Sequence, residues 1–175
     1  MQIGFLISSA RALRPTWTTA HLAQSALEDR HRVRFFEAGE IEVTAQGRLV
    51  ARAHVLDAPC TDAAELSQRL SGGHLIRRYV EIGSLDMLLL RANPFSPHVR
   101  VMALMAQERG VRVYNDPAGI IRTRTKTWVA TLTDVPKPQT MVSRELSSIR
   151  LFAENLSNDI VLKPAIGSGG RGVVR

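Results

Sequence analysis

The chain has 175 residues, of which 45% are hydrophobic and 22% are charged, a composition typical of one or two small globular domains. No apolar run reaches the roughly 18 residues that cross a bilayer, and the opening residues lack the charged lead of a secretory signal. The single cysteine, Cys60, excludes an internal disulfide. The net charge is +7, but the basic residues are scattered and only 5% are aromatic, so no nucleic-acid partner is expected. These features predict a cytoplasmic protein without a membrane partner.

The first 36 residues predict a strand, a helix and a second strand. Residues 3–8 form a short apolar run without charge, which is typical of a strand buried on both faces. Thr18 or Thr19 is expected to cap a helix that runs to about Arg30. Residues 33–36 follow as a second strand. A strand–helix–strand unit predicts a parallel sheet.

Further strands and helices are predicted up to residue 114. Residues 41–55 predict a hairpin around Gln46 and Gly47, and residues 63–70 predict a helix. Residues 85–90 are the most apolar stretch of the chain and predict a central strand that ends at Arg91. The loop 92–97 contains two prolines, which exclude regular structure there. A helix over 98–109 and a strand over 111–114 complete this part.

From residue 117 onward the sequence predicts helices and short strands that are joined by a proline-rich connector. A helix is expected to start at Pro117, and residues 123–132 and 145–155 have helical patterns. Residues 135–138 form a proline-rich connector, and short strands are predicted over 139–142 and 160–163. Lys163 is the last residue of the second of these strands, and Pro164, which lacks a backbone N–H, ends the strand pairing after it.

The strongest local pattern for chemistry is the glycine-rich stretch that follows Pro164. Such a loop brings backbone N–H groups close to an anion, and Lys163 adds a positive charge, so the pattern predicts a phosphate site. The alternative is a plain surface turn. Neither the GxxxxGK[ST] loop nor the dinucleotide fingerprint after a first strand is present. Lys126, on an earlier helix, is a second candidate for a phosphate contact. The predicted loop residues are Gly167, Ser168, Gly169, Gly170 and Gly172.

Several segments in order resemble known proteins. VYNDPAGIIRTRTKTW, PKPQTMVSR and DIVLKPAIGSGG resemble the opening segments of an ATP-grasp domain. The resemblance implies that Lys126, Lys163 and the glycine loop contact the phosphates of ATP. FFEAGEIEVTAQGRLVARAHVLDAP and DMLLLRANPF resemble the front half of bacterial glutathione synthetases, which implies that Arg91 and Asn93 lie near the substrate cleft.

The resemblance implies an α/β architecture in two parts. A parallel-sheet, Rossmann-like pre-ATP-grasp domain is expected over residues 1–118, followed by the truncated start of an α+β ATP-grasp domain over 119–175. The implied reaction is the ADP-forming ligation of γ-glutamylcysteine to glycine, with ATP and Mg²⁺. The metal ligands are expected downstream, no catalytic residue is assigned within these 175 residues, and the chain alone is expected to be inactive. Whether the protein is a homo-oligomer stays open.

Two loops depart from the family pattern and leave the peptide substrate open. SARALRPTW lacks the aspartate of the family's first loop, and the loop 92–97 lacks its flanking acidic residues. The alternatives are a related ATP-grasp ligase with other amino-acid or peptide substrates, and a non-catalytic binding or regulatory module built on the N-terminal α/β domain.

Overall fold

The computed structural model describes the whole chain except His74, Pro94, Ser157, Asn158 and Ser168. It divides into two compact units, Met1–Pro117 and Ala118–Arg175. Each unit has its own secondary structure and is considered separately.

The described residues of the first unit form a six-stranded sheet in the order β4-β3-β2-β1-β5-β6. Strands β2, β1, β5 and β6 run parallel to one another, whereas β3 and β4 are antiparallel to their neighbours. The expected mostly parallel α/β fold is therefore confirmed. The strands are β1 Gln2–Ile7, β2 Arg32–Val43, β3 Leu49–Leu56, β4 Arg77–Glu81, β5 Met87–Leu90 and β6 Arg112–Tyr114.

Helices cover the sheet because its central strands are apolar on both faces. The helices are α1 Thr18–Glu28, α2 Ala63–Ser71 and α3 Pro97–Glu108, with short 3-10 helices at Ala10–Ala12 and Ile82–Ser84. Phe5 of β1 and Phe35 of β2 stack with ring centroids 5.2 Å apart, and Leu27 of α1 and Leu66 of α2 belong to the same core cluster. This burial supplies most of the stability of the unit.

The hairpin prediction is confirmed, but the strand after it was not predicted. β2 and β3 pair antiparallel on either side of a turn in which Gly47 has φ +74°, and a register shift interrupts the ladder between Phe36 and Ile41. β4 has the sequence RRYVE, and within the described part of the chain it pairs only with β3. As an edge strand with no apolar alternation it carries no strand signal, because such a strand is held mainly by backbone hydrogen bonds.

The predicted cap of the first helix is wrong. Trp17 occupies the N-cap position, and no side chain caps the helix there. Thr18 and Thr19 lie inside the helix, and the hydroxyl of Thr19 accepts a hydrogen bond from Arg91 instead.

The second unit contains three helical segments among its described residues, α4 starting at its border with the first unit. They are α4 Pro117–Thr123, α5 Lys126–Thr131 and α6 Leu146–Glu154. The helix predicted over 123–132 begins only at Lys126, because Thr125 is extended and forms a bridge with Ile166. The strand predicted over 139–142 is absent, since these residues pair with no other described segment. The strand predicted over 160–163 is reduced to one bridge between Leu162 and Val174.

A partly buried polar cluster lies on the antiparallel side of the sheet. His54 of β3 is 7% exposed and lies opposite Arg77 of β4, which pairs with Glu40. Nδ1 of His54 has no hydrogen-bond partner among the described residues. Burial and then the charge of Arg77 lower the pKa of His54 below its ordinary value of 6.5, against weaker opposing effects of Glu37 and Glu40.

Replacing Gly4 of β1 by alanine should destabilise the first unit. A Cβ at this position would lie 2.7 Å from Cδ1 of Leu85 and 2.8 Å from Cε2 of Phe36. Overpacking of this kind costs about 1–3 kcal/mol in the free energy of unfolding, measurable by urea denaturation. Gly39→Ala is the matched control, because no atom lies within 4 Å of its added Cβ. Equal midpoints for the two variants would contradict the packing described here.

The buried His54 predicts a pH dependence of stability. Because folding lowers its pKa, the unfolded chain takes up the proton more readily, so the free energy of unfolding falls as the pH drops below 6.5. Urea denaturation at about pH 7.5 and about pH 5.5 should show a smaller pH effect for His54→Gln than for the wild type. His98→Gln, at an exposed position, should keep the wild-type pH effect. An unchanged pH effect in His54→Gln would refute the prediction.

Candidate functional site

The site in the first unit is built where the parallel strands β1 and β5 end. The two strands are in register, with Leu6 opposite Leu90, and the backbone N–H of Arg91 donates to the carbonyl oxygen of Leu6 at 2.8 Å. The loops that follow the two strands therefore leave the sheet side by side. The carboxyl edge of an open parallel sheet is where α/β proteins bind ligands.

A cavity of about 290 Å³ lies at this edge. Arg91 is the one charged residue of its described lining, and none of the lining residues is acidic. The cavity therefore suits an anionic group that is joined to a less polar body. The lining residues are Ile7, Ser8, Ser9, Ala12, Leu13, Trp17, Thr19, Arg91 and Asn93.

The guanidinium of Arg91 is held at one nitrogen. Its Nε donates to Oγ1 of Thr19 at 3.0 Å. None of the ion pairs found among the described residues includes Arg91, and the residue is exposed. The Nη donors are therefore available to an anion, and a guanidinium binds a carboxylate through two parallel hydrogen bonds.

Ser8 joins the two loops that form the cavity. Its hydroxyl donates to the carbonyl oxygen of Asn93 at 3.0 Å and accepts from the N–H of Asn93 at 2.9 Å. A second contact fixes the first loop from the other side, because the N–H of Ala10 donates to Oε1 of Glu37 at 2.9 Å. Hydrogen bonds thus join the loops after β1 and β5 to each other, and the first of these loops to the side chain of Glu37 in β2.

In the second unit, Lys126 and the glycine loop lie together. The N–H of Lys126 donates to the carbonyl oxygen of Ala165 at 2.9 Å, and its Nζ lies 3.3 Å from the carbonyl oxygen of Gly167. The bridge between Thr125 and Ile166 holds the two segments next to each other. Two segments that are about 40 residues apart in sequence therefore converge, as phosphate contacts from separate elements would require.

The loop itself is closed at its base. Leu162 and Val174 exchange two backbone hydrogen bonds of 2.8 and 2.9 Å, and Arg175 pairs with Asp159. Gly169, Gly170 and Gly172 have φ of +67°, +74° and +69°, a conformation that side chains other than glycine rarely adopt. Lys163 is exposed at the start of the loop. Ser168 lies outside the described residues.

The structure groups the residues of the sequence prediction into two sets. Arg91 and Asn93 share the cavity of the first unit, and Lys126, Lys163 and the glycines share one region of the second. Sequence reasoning gave no role to Ser8 or Trp17 and considered Thr19 only as a helix cap, whereas all three line the same cavity as Arg91. The position of Ser8 directly after a buried strand is the signal that could have indicated it.

Other features offer no comparable site. A concavity of about 560 Å³ is formed by the connector 132–140 alone, without groups that converge from separate elements. Burial raises the pKa of the Cys60 thiol, which opposes a role as a nucleophile. Among the described residues no group of three His, Cys, Asp or Glu side chains is placed to hold a metal ion. Within the same residues, no helix is long and apolar enough to cross a membrane.

Comparison with known proteins identifies the family of the chain. The family described as prokaryotic glutathione synthetase, N-terminal domain, matches residues 1–122. The chain belongs to the prokaryotic glutathione synthetase family. This membership confirms the resemblance to bacterial glutathione synthetases that the sequence shows, and it is consistent with the mostly parallel sheet of the first unit.

Similar proteins include the glutathione synthetases of three bacteria. The protein of Agrobacterium fabrum is 32% identical over 97 residues, which are 54% of this chain and 30% of the relative. That of Buchnera aphidicola is 31% identical over 103 residues, 57% of this chain and 32% of the relative. That of Escherichia coli K12 is 31% identical over 98 residues, 54% and 30%. The matched part thus spans about a third of the length of these relatives.

Proposed function

We propose that this chain forms part of an ATP-dependent ligase that joins γ-glutamylcysteine to glycine. The observation that carries the proposal is the cavity at the carboxyl ends of β1 and β5, with the uncommitted Nη donors of Arg91, in a chain of the glutathione synthetase family. γ-Glutamylcysteine is a peptide that bears carboxylates, and such a ligand fits a partly apolar cavity with one guanidinium at its wall.

The reaction proceeds in two balanced steps. A carboxylate oxygen of the dipeptide attacks the γ-phosphorus of ATP, which forms an acyl phosphate and releases ADP. The amino nitrogen of glycine then attacks the acyl carbon, expels phosphate and loses a proton, which leaves the amide. Arg91 and Asn93 bind and orient the dipeptide, and holding the reactants together lowers the entropic barrier to both attacks.

The triphosphate is assigned to the second unit. Lys126 and Lys163 supply positive charge, and the loop formed by Gly167, Ser168, Gly169, Gly170 and Gly172 supplies backbone N–H donors. The support for this assignment is the contact of Lys126 with Gly167 and the positive φ angles of three loop glycines. Magnesium belongs to such chemistry, but the described residues contain no group of acidic side chains that fits the ion.

The proposal predicts the behaviour of Arg91→Ala in the complete gene product. The KM for γ-glutamylcysteine should rise about 10- to 100-fold, since hydrogen bonds to a charged group contribute about 1.5–3 kcal/mol, while the KM for ATP stays near the wild-type value. The measurement is initial-rate release of ADP with γ-glutamylcysteine, glycine and Mg-ATP.

Arg78→Ala is the control for Arg91→Ala. Arg78 is an exposed arginine on the edge strand β4, and its removal should leave both KM values unchanged. Absence of any glutathione formation by the wild type would refute the proposed reaction. ADP release with a different pair of amino acids or peptides would assign the protein to a related ATP-grasp ligase.

A second prediction concerns Lys163. Replacing it with methionine keeps a long, unbranched side chain but removes its charge, so the KM for ATP should rise at least about tenfold, and the KM for γ-glutamylcysteine should stay unchanged. Lys137→Met is the control, because the Nζ of this lysine already donates to the carbonyl oxygen of Ala130 at 2.7 Å. Wild-type kinetics for Lys163→Met would remove this lysine from the nucleotide site.

A further inference from the structure

Arg91 is fixed at two points, and the second point is a buried threonine. The backbone N–H of Arg91 donates to Leu6 of β1 at 2.8 Å, which sets the position of the main chain. The Nε atom donates to Oγ1 of Thr19 at 3.0 Å, which sets the far end of the side chain. An arginine held at both ends has lost most of its rotamer freedom before any ligand arrives.

Thr19 is itself held firmly. It is the second residue of α1 and only 4% exposed, and the next residue, Ala20, is completely buried. A buried hydroxyl requires a hydrogen-bond partner, and Arg91 is the side chain that supplies one. The hydroxyl belongs to a packed helix rather than to a loop, so its position does not depend on the ligand.

The choice of nitrogen determines which edge of the guanidinium remains free. A guanidinium carries one N–H on Nε and two on each Nη, and it offers a carboxylate either the edge that includes Nε or the edge between the two Nη atoms. Thr19 occupies Nε, so the edge between Nη1 and Nη2 is left. Because Arg91 lines the cavity, this edge is the part of the side chain that can bind an anion there.

We infer that Thr19 is a positioning residue, which acts through Arg91 and presents the Nη1–Nη2 edge to a carboxylate of the substrate. This role rests on the proposed function for the identity of the substrate, but the hydrogen bond itself does not. Thr19 touches Arg91 through its hydroxyl, whereas a merely structural threonine would act through its methyl group. The two roles are therefore separated by exchanging one group at a time.

Two variants test the role. Thr19→Val keeps the β-branched shape and removes the acceptor, and Thr19→Ser keeps the acceptor and removes the methyl group. In the ¹⁵N-labelled chain, the Nε–H signal of Arg91, assigned with Arg91→Lys, should exchange slowly with water in the wild type and in Thr19→Ser. In Thr19→Val its exchange should be fast, although the melting temperature of this variant should not fall.

The kinetic readout uses the complete gene product. Thr19→Val should raise the KM for γ-glutamylcysteine about tenfold and leave the KM for ATP unchanged, whereas Thr19→Ser should stay within about threefold of the wild type. Slow Nε–H exchange in Thr19→Val, or equal KM values for this variant and the wild type, would overturn the inference. A wild type that does not turn over γ-glutamylcysteine would refute the proposed function, and the exchange measurement would then still decide whether Thr19 holds Arg91.

Discussion

The parallel pairing of β1 with β5 determines where the cavity residues of the first unit lie. It places Leu6 opposite Leu90, so the residues that follow both strands emerge at the same edge of the sheet. Ser8 and Asn93 then form their reciprocal hydrogen bonds, and Arg91 lies within reach of Thr19. A slip of one residue would turn Arg91 towards the other face of the sheet, and the cavity would lose its guanidinium.

The core enforces that register. Gly4 leaves room for the side chains of Leu85 and Phe36, which approach the backbone of β1 closely, and Phe5 stacks on Phe35 on the opposite face. Both faces of β1 are therefore fitted to particular neighbours, so the apolar packing that stabilises the fold also aligns the functional side chains. The polar groups of the cavity contribute little burial of their own and depend on this alignment.

The sequence predicted the order of elements in the first unit because its strands and helices have clear apolar patterns. It did not predict β4, since an edge strand without an apolar alternation is recognised only beside its partner. It also misplaced the role of Thr19, because a threonine near a helix start is usually a cap, and the arginine that binds it is distant in sequence. The strand over 139–142 failed for a related reason, because a strand exists only where another segment pairs with it.

The two candidate sites differ in how far the sequence could define them. The glycine loop was recognisable because glycines, a lysine and a proline lie next to each other in the chain, and the structure adds the contact between Lys126 and Gly167. The cavity of the first unit combines residues from α1 and from the ends of β1 and β5, so only Arg91 and Asn93 were apparent beforehand. Sites assembled from several loops require the topology before their members can be named.

The proposed function requires that Arg91 binds a carboxylate of the dipeptide and that the glycine loop binds the triphosphate. A crystal structure of the complete gene product with γ-glutamylcysteine and a non-hydrolysable ATP analogue would show both contacts. We expect a dipeptide carboxylate at about 3 Å from both Nη atoms of Arg91, and phosphate oxygens beside Lys126 and Lys163. A dipeptide bound away from the cavity, or a triphosphate that contacts neither lysine, would refute the proposed function.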